Sequence, residues 1–258
     1  MNKWALVTGA SRGLGYEFSK KLSQEGYNLI ICSRTESKLK EVKKEIEDVY
    51  SNRVKYFQVD LTLKKEIKMM LKNLQRKNIS VDILINNAGF GNSGRIEETD
   101  FDRDLSMINL NIRALTFLTK YFIKEMKMRN RGYILNVSST AAFQPGPMGS
   151  IYYASKTYVL NFSLALQREL RNSDVHLSVV CPGPTKTRFF KESNLENSKL
   201  KKMNMMTPEK VVNISLKNLF KNKKLIIPGF SNKILYWISK ITPVKLSNII
   251  VEYLMTNY

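Results

Sequence analysis

A doubly wound α/β fold, with a mostly parallel seven-stranded sheet and helices on both faces, is predicted by three features of the sequence. Short β-branched apolar runs alternate with longer stretches of helical period, which implies parallel strands joined by crossover helices. Two of the runs, Val81-Asp82-Ile83-Leu84-Ile85 and Leu177-Ser178-Val179-Val180-Cys181, are nearly continuous in apolar residues, as strands covered on both sides must be. The third feature is the opening unit. Trp4-Ala5-Leu6-Val7-Thr8 passes into a glycine-rich turn, after which a helical period begins at Phe18 and Leu22.

Taken in order, strands are expected near 3–8, 28–33, 53–58, 82–86, 131–137, 175–181 and 224–227. Helices are expected between them, near 12–25, 36–49, 63–77, 103–128, 151–172 and 208–221. No internal repeat, low-complexity segment or linker interrupts this alternation, so residues 1–258 are read as one domain. A chain of 258 residues that is 43% hydrophobic and 25% charged carries ample material for a single core.

Composition narrows the chemistry. His176 is the only histidine and has no cysteine or second histidine near it, which removes Ser-His-Asp hydrolysis and histidine-based metal catalysis. Cys32 and Cys181 are far apart and not in a C-x-x-C pair, so buried free thiols are expected, with no disulfide and no metal site. The net charge of +20 raises the question of nucleic acid. The lysines are spread over every helix without a basic stripe interleaved with aromatics, so no nucleic-acid partner is expected. The field nevertheless favours anionic ligands. The first strand is expected to begin by about residue 3, so no cleavable leader is expected, and no run of about 20 apolar residues occurs. A cytoplasmic protein is the expectation.

Two residue sets carry chemistry. Gly9-Ala10-Ser11-Arg12-Gly13-Leu14-Gly15 lies between strand and helix, where glycines let backbone amides and a helix N-terminus approach a pyrophosphate. Its spacing is G-x-x-x-G-x-G, and a purely structural turn is the competing reading. Tyr152 and Lys156 are four residues apart, so a helix places phenol and ammonium on one face. A free phenol has a pKa of about 10, and a neighbouring cation is expected to lower it toward neutrality. Ser139, 13 residues before the tyrosine, offers a hydroxyl to the same atom. A tyrosine and a lysine on a half-exposed helix are also ordinary neighbours, so the pair alone decides nothing.

In combination these motifs resemble the short-chain dehydrogenase/reductase family. Thr8–Gly15 is similar to its cofactor loop, Val59-Asp60-Leu61-Thr62 to its adenine contact and Asn86-Asn87-Ala88-Gly89 to its NNAG segment. Asn111, Ser139, Tyr152 and Lys156 match its catalytic tetrad at the family's spacing, and Pro182-Gly183-Pro184-Thr185-Lys186-Thr187 resembles its PG motif. The likeness covers about residues 3 to 190. It implies a single-domain Rossmann-type enzyme, a nicotinamide cofactor and a small-molecule carbonyl or alcohol substrate. The implied cofactor contacts are Gly9, Ser11, Arg12, Gly13, Leu14, Gly15, Arg34, Asp60, Leu61, Asn87, Ala88, Gly89, Tyr152, Lys156, Pro182, Gly183, Thr185 and Thr187. In the implied mechanism Tyr152 exchanges a proton with the substrate oxygen, Ser139 holds that oxygen, and Lys156 holds the nicotinamide ribose. Asn111 anchors a proton-relay water. The strand ending Ile31-Cys32-Ser33-Arg34 lacks the acid that would accept from a ribose 2′-hydroxyl, and Arg34 and Arg12 offer cations to a 2′-phosphate, so NADP(H) is expected.

Residues 188–207 are expected to form a lid, with Phe189, Phe190, Met203, Met205 and Met206 as an apolar wall and Phe143, Pro145, Pro147 and Met148 as a second one. That wall points to a bulky or lipid-like ketone. The family forms dimers or tetramers through the helices near 103–128 and 151–172. Here Leu115, Phe117, Leu118, Phe122, Leu160, Phe162, Leu164 and Leu166 are more apolar residues than one buried face needs, so a homodimer or homotetramer is expected. The tail 230–258 carries apolar runs with Lys233, Lys240 and Lys245 between them. Packing of Trp237 and its neighbours against the body is expected, and contact with an anionic membrane surface is the alternative. The competing class is a non-catalytic dinucleotide-binding or membrane-surface interaction protein on the same fold.

Overall fold

The computed structural model describes residues 3–196, 198–202 and 205–256. Its seven strands are β1 (Trp4–Thr8), β2 (Asn28–Ser33), β3 (Val54–Gln58), β4 (Ile83–Asn86), β5 (Gly132–Val137), β6 (Val175–Val180) and β7 (Leu225–Ile226). They form one parallel sheet in the order β3-β2-β1-β4-β5-β6-β7. The order reverses between β1 and β4, and in open α/β sheets the crevice at the carboxyl ends of such strands is where ligands bind. The helices α1 (Gly13–Gln24), α2 (Glu36–Val49), α3 (Lys64–Arg76), α4 (Phe101–Ile108), α5 (Leu115–Met128) and α6 (Ser150–Glu169) are followed by α7 (Phe189–Glu192), α8 (Pro208–Leu219), α9 (Phe230–Ile241) and α10 (Val244–Met255).

Strand alternation divides the core. Leu6, Ile30, Leu84 and Ile134 point to one face and pack with Ile67 and Leu71 of α3 and Leu118 and Phe122 of α5. Val7, Ile31, Ile85 and Leu135 point to the other, against Phe18 and Leu22 of α1, Leu39 of α2 and Leu216 of α8. Each fully buried side chain of this size contributes about 1.5–3 kcal/mol of transfer free energy. Both faces being covered explains why β1, β2 and β4 are apolar at nearly every position.

Three departures from the expected elements matter. The helix expected over 103–128 starts at Phe101, where the Asp100 carboxylate caps the Arg103 amide at 2.7 Å, and it is interrupted by a π-helical segment, Asn109–Ala114. Such segments are frequent at functional sites, and this one contains Asn111. Secondly, Leu115, Leu118, Phe122 and Leu160 are core residues, and Phe117, Phe162 and Leu166 are partly buried against the core. They are therefore not a surplus awaiting a partner, and of the eight residues only Leu164 is exposed. Thirdly, the tail forms two helices, and Trp237 of α9 is 69% exposed rather than packed. Met203 lies outside the described residues.

Candidate active site

A cavity of about 600 Å³ opens at the carboxyl ends of the strands. Its floor begins with the turn after β1. Gly9 (φ +66) and Gly13 (φ +57) occupy the left-handed region, and a Cβ on Gly15 would collide with the Gly9 carbonyl oxygen. Thr8 ties this turn to β4. Its hydroxyl accepts from the Asn87 and Ala88 amides at 2.9 Å each, while the Asn87 side-chain amide donates to the Thr8 carbonyl at 2.9 Å. The turn is thus held open by glycine geometry and held still by hydrogen bonds from residues 80 positions away.

Around this floor the structure gathers Gly9, Ser11, Arg12, Gly13, Leu14, Arg34, Asp60, Leu61, Asn87, Ala88 and Gly89 on the walls of the one cavity. Pro182, Gly183, Thr185 and Thr187 line it after β6, and Ser139, Tyr152 and Lys156 line its far part. Gly15 and Asn111 do not reach the cavity wall. Gly15 lies beneath the turn and permits close helix–strand approach. Asp60 is occupied locally, its carboxylate accepting from the Thr62 amide at 2.8 Å and the Thr62 hydroxyl at 2.7 Å. The Thr187 hydroxyl accepts from the Phe189 amide at 3.2 Å and so starts α7.

The candidate reactive groups stand on rigid elements. Ser139 follows β5, where its hydroxyl accepts from the Ala141 amide at 3.1 Å. Tyr152 and Lys156 are one turn apart on α6, with Lys156 buried and Tyr152 partly buried. The Lys156 Nζ donates to the Val137 carbonyl at 3.2 Å and lies 5.7 Å from the Tyr152 ring centroid. Burial pushes the Lys156 ammonium down to about 8. Burial also pushes the Tyr152 phenol up to about 12, with the Ser139 hydroxyl pulling weakly the other way. The expected depression of the phenol by the ammonium is therefore not met in this geometry. The ammonium is directed at a carbonyl of β5, and desolvation dominates at the phenol.

Asn111 is tied into the site by its side chain. Its side-chain amide donates to the Phe90 carbonyl at 3.0 Å and the Ser155 hydroxyl at 3.1 Å, and its oxygen accepts from the Phe90 amide at 3.2 Å. Both N–H donors are committed to protein, so the side chain positions its neighbours. The Ser155 hydroxyl in turn donates to the Tyr152 carbonyl at 2.7 Å, which carries the restraint to the tyrosine.

The apolar wall is only partly the expected one. Phe189 and Phe190 line the cavity, with the Phe189 ring 5.3 Å from that of Tyr152. Met205, Met206, Phe143, Pro145, Pro147 and Met148 are not on its wall. Phe143 turns away to pack edge-on against Tyr236 at 4.9 Å, Met206 pairs with Thr185 as a strand bridge, and Met148 and Met205 pack behind Tyr153 and Phe190. Their places are taken by Phe90, Tyr153, Leu195, Leu200 and Met255. Sequence reading also missed Glu192, which lines the cavity and pairs with Arg12, and the buried Asn86–Asn136–Ser163 network behind the strands. A polar residue in an apolar strand, Asn136, was the available signal for that network. Nothing in the local sequence marks Glu192 or Met255.

The family model described as short chain dehydrogenase matches residues 3–198. The 17-beta-hydroxysteroid dehydrogenase type 3 of Rattus norvegicus is 34% identical over 204 residues, covering 75% of this chain and 63% of that protein. The very-long-chain 3-oxoacyl-CoA reductase-A of Danio rerio is 30% identical over 216 residues, 82% of this chain and 65% of that one. The match thus spans under two thirds of the length of these curated relatives. Among solved structures, a short-chain dehydrogenase from Sphingobium yanoikuyae in complex with NADPH superposes with a TM-score of 0.83 at 27% identity, covering 88% of each chain. The seven-stranded parallel sheet, the glycine turn at its switch point and these matches together make this chain a member of the short chain dehydrogenase family.

Proposed function

We propose that this protein is an NADP(H)-dependent oxidoreductase that interconverts a ketone and a secondary alcohol on a bulky or lipid-like substrate. The observation that carries the reading is the convergence of Ser139, Tyr152 and Lys156 on the same cavity that the glycine turn floors. The residues fit a dinucleotide, since the left-handed glycines and the missing Cβ of Gly15 leave backbone room for a pyrophosphate at the start of α1. The nicotinamide, when bound, supplies or accepts the hydride. Ser33 and Arg34 at the end of β2 line the cavity without an acid beside them, which favours a 2′-phosphate. The solved relative with NADPH supports the same preference.

The chain's own groups handle the proton. With its phenol up near 12, Tyr152 is protonated at neutral pH and serves as the acid that delivers a proton to the carbonyl oxygen during reduction. In oxidation the same oxygen receives it. Ser139 accepts from the Ala141 amide, which leaves its own proton to hold the substrate oxygen. Lys156, near 8, changes charge close to neutrality and is suited to pass a proton on. Asn111 is a positioning residue for Phe90 and, through Ser155, for Tyr152.

The substrate reading rests on the apolar wall formed by Tyr153, Phe190, Leu195, Leu200 and Met255, and agrees with steroid and acyl chemistry in the names of the two relatives. We place the protein in the cytoplasm, a reducing compartment suited to the buried thiols of Cys32 and Cys181. Self-association is proposed through the exposed Leu105, Ile108, Tyr158 and Leu164 of α4 and α6. The test is a panel of steroid ketones, 3-oxoacyl thioesters and small ketones assayed with NADPH and with NADH. Turnover of bulky ketones with NADPH at least about tenfold above NADH is expected. Loss of all ketone reduction, or equal use of the two cofactors, would overturn the corresponding part.

A further inference from the structure

The hairpin of α9 and α10 is amphipathic in the wrong direction for a core element. Phe230, Ile234, Trp237, Ile238 and Ile241 recur at helical spacing along one stripe of α9, and all are exposed, Ile241 by 82%. No residue of α9 is buried. On α10, Leu246, Ile249, Ile250 and Tyr253 form a second exposed stripe. With Val244 at the start of α10, ten of the twenty large apolar side chains exposed among the described residues lie in this one hairpin. Exposed apolar surface concentrated in this way marks an interaction site.

The hairpin is nonetheless fastened to the body. Asn232 sits over Gly183, Tyr236 packs on Phe143, and Val251 and Met255 are buried with Tyr153 and Phe190. Met255 lines the cavity itself. The hairpin thus has an inner side at the apolar end of the cavity and an outer side of bare apolar stripes.

Charge decides between occupants. Lys233, Lys240 and Lys245 are exposed in the hairpin, and Glu252 is its only carboxylate. A second copy laid on the same surface would bring two sets of lysines together with little to offset them. An anionic surface would be complementary, and the chain's net charge of +20 draws it there. No described helix is long and apolar enough to cross a membrane, so the hairpin would lie in the interface, with Trp237 at the headgroup level.

We propose that the α9–α10 hairpin docks this protein on an anionic bilayer surface. The docking brings the cavity end lined by Met255 to the lipid, a consequence that rests on the reading of a lipid-like ketone as substrate.

The test uses the full chain with vesicles of phosphatidylcholine alone and with about a third phosphatidylglycerol. Co-sedimentation with the anionic vesicles is expected, together with a blue shift of Trp237 emission, read against Trp237→Phe because Trp4 is buried and contributes a constant signal. A Trp237→Glu, Ile241→Glu variant is expected to lose at least about tenfold in vesicle affinity, and Lys233→Glu, Lys240→Glu, Lys245→Glu to lose the preference for anionic lipid. These positions are exposed, so folding, checked by circular dichroism, should be retained. Equal binding by wild type and the Trp237→Glu, Ile241→Glu variant, or no binding at all, overturns the proposal. So does a hairpin-dependent dimer in sedimentation that buries Trp237 without lipid. Vesicle binding is read without cofactor or turnover, so it stands or falls apart from the enzymatic reading. If docking holds, a ketone delivered in anionic vesicles is reduced more slowly by the Trp237→Glu, Ile241→Glu variant, whereas a water-soluble ketone is not. Equal rates with both substrates would overturn the delivery of substrate from lipid.

Discussion

Arg12 in the glycine turn and Glu192 on α7 form a salt bridge of 2.7 Å across the cavity that both residues line. Arg12 is also a cation proposed for the 2′-phosphate, so Glu192 competes with the cofactor for it. Both side chains keep substantial exposure, which limits the pair to about 0.2–1 kcal/mol. Glu192→Gln is therefore expected to lower the Kd for NADPH by about 1.4- to fivefold and leave NADH nearly unchanged. Fluorescence titration at fixed salt checks this, and equal shifts for both cofactors would show that the bridge only closes the lid.

Arg34 is exposed at the end of β2 and lines the same cavity. A charge-assisted contact to phosphate is worth roughly 1.5–3 kcal/mol, so Arg34→Ala is expected to weaken NADPH by about 10- to 150-fold. NADH, without the 2′-phosphate, should change by less than about twofold in the same titration. A uniform loss would assign Arg34 a structural role.

Tyr152→Phe keeps the ring that packs against Phe189 and removes the proton proposed to move. Ketone reduction is expected to fall by about 10²–10⁴-fold with NADPH affinity nearly intact. Because the wild-type phenol is pushed up to about 12, the reductive rate should not fall from Tyr152 ionisation near neutrality, while oxidation should rise with pH. A variant that retains turnover within about tenfold of wild type would falsify the assigned role.

Lys156 is a cationic group whose folded pKa, about 8, lies below its ordinary value of 10.5. Below pH 8 both states are protonated, and the native state carries the full cost of a buried ammonium. Between 8 and 10.5 the unfolded chain binds more protons, so wild-type stability rises with pH. Lys156→Met removes that cost and loses the bond to the Val137 carbonyl. It is expected to be inactive but more stable than wild type by about 1–2 kcal/mol at pH 7, with the advantage gone near pH 10.5. Denaturant unfolding at pH 7 and 10 reads the difference. A variant less stable than wild type at pH 7 would mean that the Val137 bond outweighs the burial cost.

What depends on local period and spacing was legible in the chain alone. Alternating strands and helices gave the order of elements, and the apolar runs 81–85 and 177–181 gave strands covered on both faces. The turn Gly9–Gly15 could be placed because only glycine tolerates its backbone. The pair Tyr152 and Lys156 could be placed on one helix face because four residues make about one turn. Tertiary structure decided what depends on neighbours distant in the chain. Burial, not spacing, sets the direction in which Tyr152 and Lys156 titrate, and the side chain of Asn111 is committed to Phe90 and Ser155, which no local pattern specifies. Met255 reaches the cavity from the far end of the chain, where no local pattern announces it. The tail shows the limit most plainly. Its period establishes that α9 has an apolar face, but a helical period carries no information about which way that face turns. Only the packing of Asn232 and Tyr236 against the body directs Trp237 into solvent.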